Sequence, residues 1–179
     1  MGEQRTEMQR AVIIGPPGSG KSTFANNLSE ITKLPITHLD VYWNDPANDF
    51  QGSSNRADWI EFSNALADKD KWIMDGNFSG SLQHRLDRAD TIFYFDMPTW
   101  LALKGIYMRR FDKSGRIGMP DKWEESVDFG FLKYVAIYRH KYHKGIQELL
   151  SQQASKDVVI FKTHKQVNKY LANLRPKQA

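Results

Sequence analysis

Cysteine is absent from the 179-residue chain. That excludes a disulfide framework and thiolate metal sites, and it fits a reducing compartment. No window approaches the roughly 18 uninterrupted apolar residues of a membrane span. No apolar signal segment is evident either, so the expectation is a soluble, cytoplasmic protein with no membrane partner. Internal repeats and low-complexity tracts are also missing. The length suits a single domain over 1–179, large enough to bury a full core. The net charge of +4 is unevenly spread. Acids outnumber bases up to residue 90 and the reverse holds beyond it, with Lys104, Arg109, Arg110, Lys113 and Arg116 in one group and Lys133, Arg139, Lys141 and Lys144 in another. Such a distribution suits a nucleic-acid surface, a clamp over nucleotide phosphates, or solvated helix faces.

The most informative stretch is AVIIGPPGSGKST, Ala11 to Thr23. Gly15, Gly18, Gly20, Lys21 and Ser22 fit GxxxxGKS, in which backbone N–H groups surround phosphate oxygens and glycines keep side chains out of the way. An apolar run precedes the match and an amphipathic segment follows, the strand–loop–helix setting that such a loop needs. Gly15, Pro16, Pro17, Gly18, Ser19, Gly20, Lys21, Ser22 and Thr23 are therefore expected to hold ATP. Lys21 would reach the β- and γ-phosphates, and the Ser22 hydroxyl would be a ligand of Mg²⁺.

Apolar runs alternate with helical stretches along the rest of the chain, the pattern of βαβ units and a parallel sheet. Strands are expected at Ala11–Ile14, Ile36–Leu39, Trp72–Met74, Thr91–Phe95 and Val158–Phe161. Helices are expected at Lys21–Thr32, Ala57–Ala67, Ser81–Arg88, Pro98–Phe111, Val127–Leu150 and His164–Leu174. The result would be a three-layer αβα sandwich. Two turn-rich stretches interrupt it: WNDPANDFQGSSN, an acceptor-site insertion at about 43–56, and DKSGRIGMPD, which opens a helical lid at about 112–128. A phosphotransferase needs both, one to place the acceptor and one to exclude water.

Several polar residues stand where strands end, and ligands collect at the carboxyl ends of parallel strands. Asp75, after Trp72-Ile73-Met74, suits a carboxylate that holds a water of the Mg²⁺ shell or orients the acceptor, though an Asp-Gly turn would look the same. Asp40, read as the end of the second strand, suits a base for an acceptor hydroxyl, with Tyr42 or Trp43 stacking on a flat substrate. Equally, those aromatics could pack the loop onto the core. Arg85 would fork onto an acceptor phosphate or carboxylate, or lie on the surface. Arg109, Arg110, Arg116 and Arg139 would neutralise charge on the transferred phosphoryl group, two of the four being expected to act. Asp96, just ahead of Pro98, reads as a helix N-cap. Asp128-Phe129-Gly130 spells DFG but has no HRD before it, and Asp112 to Gly115 has GTPase-like spacing without an NKxD, so neither motif is adopted.

With the phosphate loop, LDVYW, WIMDGNF, the Arg85 region and MRRFDKSGR, the chain resembles the adenylate-kinase-like branch of small P-loop kinases. Within that branch it is most similar to bacterial DNA topology modulation proteins, which share LDxxYW-type and WIxDGN-type segments and a late helix with spaced aromatics, here VDFGFLKYVAIYRHKYHKGIQELL. The resemblance covers roughly Ala11 to Leu150. It implies a five-stranded sheet of order 2-3-1-4-5, ATP and Mg²⁺, Asp75 as the acid of the DG motif, and Arg109 and Arg116 as lid arginines. Adenylate kinases follow the DG with Phe-Pro-Arg, which binds the acceptor nucleotide's phosphate. Asn77-Phe78-Ser79 stands there instead, which speaks against AMP as acceptor. The expected activity is transfer of the γ-phosphoryl group to a nucleoside, nucleotide or other hydroxyl-bearing small molecule by a monomer or weak dimer. The competing expectation, carried by the basic second half, is a nucleotide-dependent regulator associated with DNA.

Overall fold

A computed structural model describes residues 8–48, 50, 56–109 and 128–175. Five strands, β1 (Arg10–Ile14), β2 (Ile36–His38), β3 (Trp72–Asp75), β4 (Thr91–Phe95) and β5 (Asp157–Phe161), form one parallel sheet in the order β2-β3-β1-β4-β5. Around it lie α1 (Lys21–Thr32), α2 (Leu39–Asn44), α3 (Arg56–Ala67), α4 (Ser79–Arg88), α5 (Thr99–Arg109), α6 (Phe129–Ser151) and α7 (His164–Leu174). The layered αβα architecture and the strand order are those expected from the sequence.

The central strands are apolar on both sides because both sides are covered. Along β1, Val12 and Ile14 face one way, packing with Met74, Ile92 and Tyr94 beneath α3, α4 and α6. Ala11 and Ile13 face the other way, packing with Phe24, Leu28, Phe93 and Phe161 beneath α1 and α7. Phe24 anchors α1 to the sheet with edge-on contacts to Phe93, Phe95 and Phe161 at centroid distances of 4.9, 5.5 and 5.3 Å. Such contacts add roughly 0.5–1.5 kcal/mol per pair beyond burial. They fix the helix whose first turn carries Lys21 and Ser22.

Two departures from expectation lie at strand ends. LDVYW is a helix, α2, and does not extend β2, so Asp40 sits in a helical first turn just beyond the strand. Leu39 is buried and Trp43, one turn later, packs on the core, a helical spacing that an apolar-run reading takes for strand. The helix stops at Asp45, whose extended backbone suits the residue before Pro46. The second departure is Asp96. α5 begins at Thr99, beyond the N-cap position expected at Asp96, and the buried Asp96 carboxylate accepts a hydrogen bond from Arg139 Nε at 3.0 Å and lies 3.2 Å from His143 Nδ1. Both partners come from α6, so this acid ties β4 to the last helix on that face. Residues 112–127 of the expected lid, and residues 49 and 51–55 of the expected acceptor insertion, lie outside the described residues.

Candidate active site

The turn between β1 and α1 closes on itself. Ser19 N–H donates to Pro16 O (3.4 Å), and the Lys21 ammonium folds back onto the same carbonyl at 2.9 Å. Gly18 and Ser19 are buried, Pro17 is half-buried and Thr23 is exposed. Gly20 is the N-cap of α1 with no side-chain hydrogen bond, and no acid occupies the first turn. Asp128 and Thr163 do cap α6 and α7 with side-chain oxygens. An uncapped helix start under a glycine turn leaves its N–H groups and positive end for an anion.

α5 supports this turn from outside at backbone distance. A Cβ on Gly105 would lie 2.0 Å from Gly18 O, and one on Gly18 would lie 2.3 Å from Ala102 O. Gly18 also has φ +76°, which L side chains rarely adopt. Gly105 was not singled out from the sequence, because a glycine inside a helix carries no local motif.

Asp75 ends β3 next to this loop. Ser22 Oγ donates to Asp75 Oδ2 at 2.6 Å, and His38 Nδ1–H donates to the same oxygen at 3.1 Å. His38 Nε2 faces the Asn26 amide oxygen at 2.8 Å, linking β2, β3 and α1. Burial on its own would raise the Asp75 pKa. The hydrogen bonds from His38 and Ser22 and the charge of Lys21 outweigh it and hold the carboxyl below its ordinary value. Asp75 Oδ1 is buried and has no hydrogen-bond partner among the described residues. His38 was missed by sequence reasoning, although the register pairs it with Asp75 across neighbouring strands. A polar residue ending each of two adjacent strands is the signal that could have found it.

Arg85 is placed differently from expectation. Its guanidinium is fully buried and donates to the carbonyls of Gly76 (2.8 Å), Asn77 (2.9 Å) and Phe78 (3.1 Å), so it shapes the loop after β3 and does not open towards an acceptor. Burial lowers its pKa to about 10, with the Asp75 charge opposing, so it stays charged at neutral pH. Trp43 also turns inward, its ring meeting Trp59 edge-on at 5.2 Å and Phe78 at 5.6 Å. Of the two roles considered for it, core packing is the one this geometry takes.

Asp40 lies beyond β2, with its charge close enough to Tyr134 of α6 to help raise that phenol's pKa, which burial and Tyr142 push up to about 12. Arg139 is held by Asp96 through Nε, with about half of its side chain exposed. Its pKa is raised by that hydrogen bond and by the Asp96 charge. Arg109 ends α5, and Arg110 and Arg116 lie outside the described residues. The structure thus gathers Lys21, Ser22 and Asp75 at one point, and sets Asp40 and the Asp96–Arg139 pair beyond the carboxyl ends of β2 and β4.

Solved structures share this architecture. A shikimate kinase from Acinetobacter baumannii in complex with shikimate superposes with a TM-score of 0.62 at 12% identity, over 93% of this chain and 90% of that one. This is the fold of small P-loop kinases. A shikimate kinase from Bacteroides thetaiotaomicron gives a TM-score of 0.58 at 14% identity, covering 93% of this chain and 96% of that one. A gluconokinase from Sinorhizobium meliloti gives 0.55 at 16% identity, covering 95% and 93%. Among curated proteins, a shikimate kinase from Flavobacterium johnsoniae is 50% identical over 34 residues, a match spanning 19% of this chain and 20% of that protein. No family model matches the chain. Among the described residues, no helix is long and apolar enough to cross a membrane.

Proposed function

We propose that this protein is an ATP-dependent kinase that transfers the γ-phosphoryl group to a hydroxyl of a small molecule. The observation that carries the proposal is the 2.6 Å contact between Ser22 Oγ and Asp75 Oδ2 at the mouth of an uncapped glycine loop. It sets a hydroxyl and a carboxylate side by side where nucleotide phosphates would arrive. Both are hard oxygen donors, and the buried Asp75 Oδ1 lacks a partner among the described residues, so the pair fits Mg²⁺ with water completing its shell. Bound there, Mg²⁺ would offset the phosphate charge.

The chain's own groups would do the rest. Lys21 leaves Pro16 O and pairs with the β- and γ-phosphates. Asp40 takes the proton of the acceptor hydroxyl as its oxygen bonds to the γ-phosphorus, and the bond from that phosphorus to the bridging oxygen breaks to release ADP. Arg139, Arg109 and Arg116 supply positive charge around the transferred group. Asp40 remains the preferred acceptor residue because it follows the carboxyl end of β2, the strand paired with the one that ends in Asp75, whereas Arg85 is occupied by three carbonyls.

ADP release, measured with ATP and a panel of shikimate, gluconate, nucleosides, nucleotides and polyols, tests the proposal. At least one acceptor should stimulate turnover, and Lys21→Ala should abolish it in a folded protein. Asp40→Asn should lower kcat by about 10²–10⁴. Normal turnover by folded Lys21→Ala would remove the proposal.

A second reading is favoured by one observation, the exposed cations Lys133, Lys141 and Lys144 along α6. Together with the resemblance to DNA topology modulation proteins, they suit a regulator that binds DNA backbone. Its affinity should then fall by about 0.9 log units per contacted phosphate for each log unit of salt. Titration with duplex DNA at low and high salt decides, and binding that ignores salt rejects it.

A further inference from the structure

The β5–α7 turn reaches across to the phosphate loop. His164, the first residue of α7, places Nε2 at 3.1 Å from Ser19 O. Its ring also covers Gly20, whose missing Cβ would lie 3.6 Å from Nε2 and 3.9 Å from Cδ2. A carbonyl oxygen only accepts, so Nε2 carries the hydrogen in this contact. The ring is presented by a well-fixed turn. The Thr163 side chain accepts from Gln166 N–H (3.3 Å), and Gln166 Oε1 accepts from the N–H groups of Thr163 (3.1 Å) and Lys162 (2.7 Å). Behind it, Phe161, Val167 and Leu171 are buried in the core that also holds Phe24.

The Ser19–Gly20 peptide is trans, and in a trans peptide the C=O and N–H point in opposite directions. Holding Ser19 O against His164 therefore turns Gly20 N–H away from α7. Gly20 N–H has no hydrogen-bond partner among the described residues. Gly20 has φ +90°, a backbone conformation that L side chains rarely adopt.

We propose that His164 is a positioning residue for the nucleotide, fixing the Ser19–Gly20 peptide so that Gly20 N–H faces the bound phosphates. The inference rests on the phosphate-loop role proposed above. It differs from the roles of Lys21 and Ser22 because His164 acts through the Ser19 carbonyl that it holds. Its effect reaches the phosphate through one peptide plane, and nothing in it reaches the acceptor.

His164→Ala and His164→Gln in the full chain test it, the glutamine because its amide N–H can donate to the same carbonyl. ADP affinity is read by calorimetry, thermal unfolding by circular dichroism, and KM separately for ATP and for the best acceptor. His164→Ala should raise the ADP Kd and the KM for ATP about fivefold to tenfold, the loss of one hydrogen bond's worth of ordering. The acceptor KM should stay within twofold and the melting temperature within a few degrees, since the side chain is exposed. His164→Gln should restore most of the ADP affinity. Equal ADP affinity in wild type and His164→Ala would overturn this inference alone, as would an alanine and a glutamine variant equally weakened. Failure of the wild type to bind ADP would instead overturn the nucleotide proposal, and this inference with it.

Discussion

Asn77 and Gly15 bond to each other twice: Gly15 N–H donates to Asn77 Oδ1 at 3.0 Å, and Asn77 Nδ2 donates back to Gly15 O at 2.9 Å. The pairing joins the loop after β3 to the first residue of the phosphate loop, across a sequence separation of 62. Asn77 thereby braces the glycine loop from the neighbouring strand end. Asn77→Ala should therefore cost about 1–3 kcal/mol of stability for two lost hydrogen bonds, with weaker ADP binding. Asn77→Asp, which keeps only the acceptor half, should fall between. Urea unfolding and ADP calorimetry check this, and an Asn77→Ala protein with wild-type values for both would contradict it.

Gly105 and Gly145 make a paired prediction, because both lie in helices but only one is crowded. A methyl group at 105 would meet Gly18 O at 2.0 Å, backbone that cannot rotate aside, whereas among the described residues nothing beyond its own helix backbone lies within 4 Å of the corresponding position at 145. Gly105→Ala should push α5 off the phosphate loop, destabilise by about 1–3 kcal/mol and weaken nucleotide binding. Gly145→Ala should stabilise α6 by roughly 0.5–1 kcal/mol without touching binding. Similar melting shifts for the two variants would show that the close approach of α5 is not what matters at Gly105.

Arg85 is predicted to act on stability. Its removal takes the guanidinium donor from the Gly76 and Asn77 carbonyls, while Phe78 O keeps Ser81 N–H at 3.1 Å, so Arg85→Ala should cost at least about 2 kcal/mol. Arg85→Lys keeps the charge but lacks the planar fork and should also melt early. At a temperature where either variant remains folded, the acceptor KM should move less than about twofold. A tenfold rise in acceptor KM with an unchanged melting temperature would return Arg85 to the acceptor site.

What could be seen in advance follows from distance along the chain. The strands, most helices and the phosphate loop are local patterns, so Gly15 to Thr23 and the alternation around them announce themselves. The helical period carries a further signal: Ser81, Leu82, Arg85 and Leu86 form one buried stripe of α4, and Arg85 belongs to it. α2 is too short for its period to show, with only Leu39 and Trp43 to mark it. The bracing contacts are another matter. His38 with Asp75, Asn77 with Gly15, Gly105 with Gly18 and His164 with Ser19 each join segments brought together only by the sheet order, which single residues do not encode. The Asp96–Arg139 pair is hidden for the same reason, and the local setting of Asp96 before Pro98 suggests an N-cap, whereas α5 begins at Thr99.

The last prediction concerns acid. Asp75 titrates below its ordinary value of 3.8 in the folded protein, against the effect of burial, because His38, Ser22 and Lys21 favour the carboxylate. A carboxyl group with a depressed folded pKa stabilises the protein fully at pH above its unfolded value, and that contribution disappears as pH falls through the folded value. Each unit of depression corresponds to about 1.4 kcal/mol. In metal-free buffer, the wild type should lose stability between about pH 5 and about pH 2 more steeply than Asp75→Asn, which has no proton to gain at that position. Urea unfolding across this range measures the difference. The amide keeps one oxygen to accept from Ser22, so the variant should fold and its curve should be the flatter. Parallel curves for wild type and Asp75→Asn would mean that the carboxylate is not the favoured form in this site. The proposed hold of Ser22 and Asp75 on a divalent cation would then lose its charge.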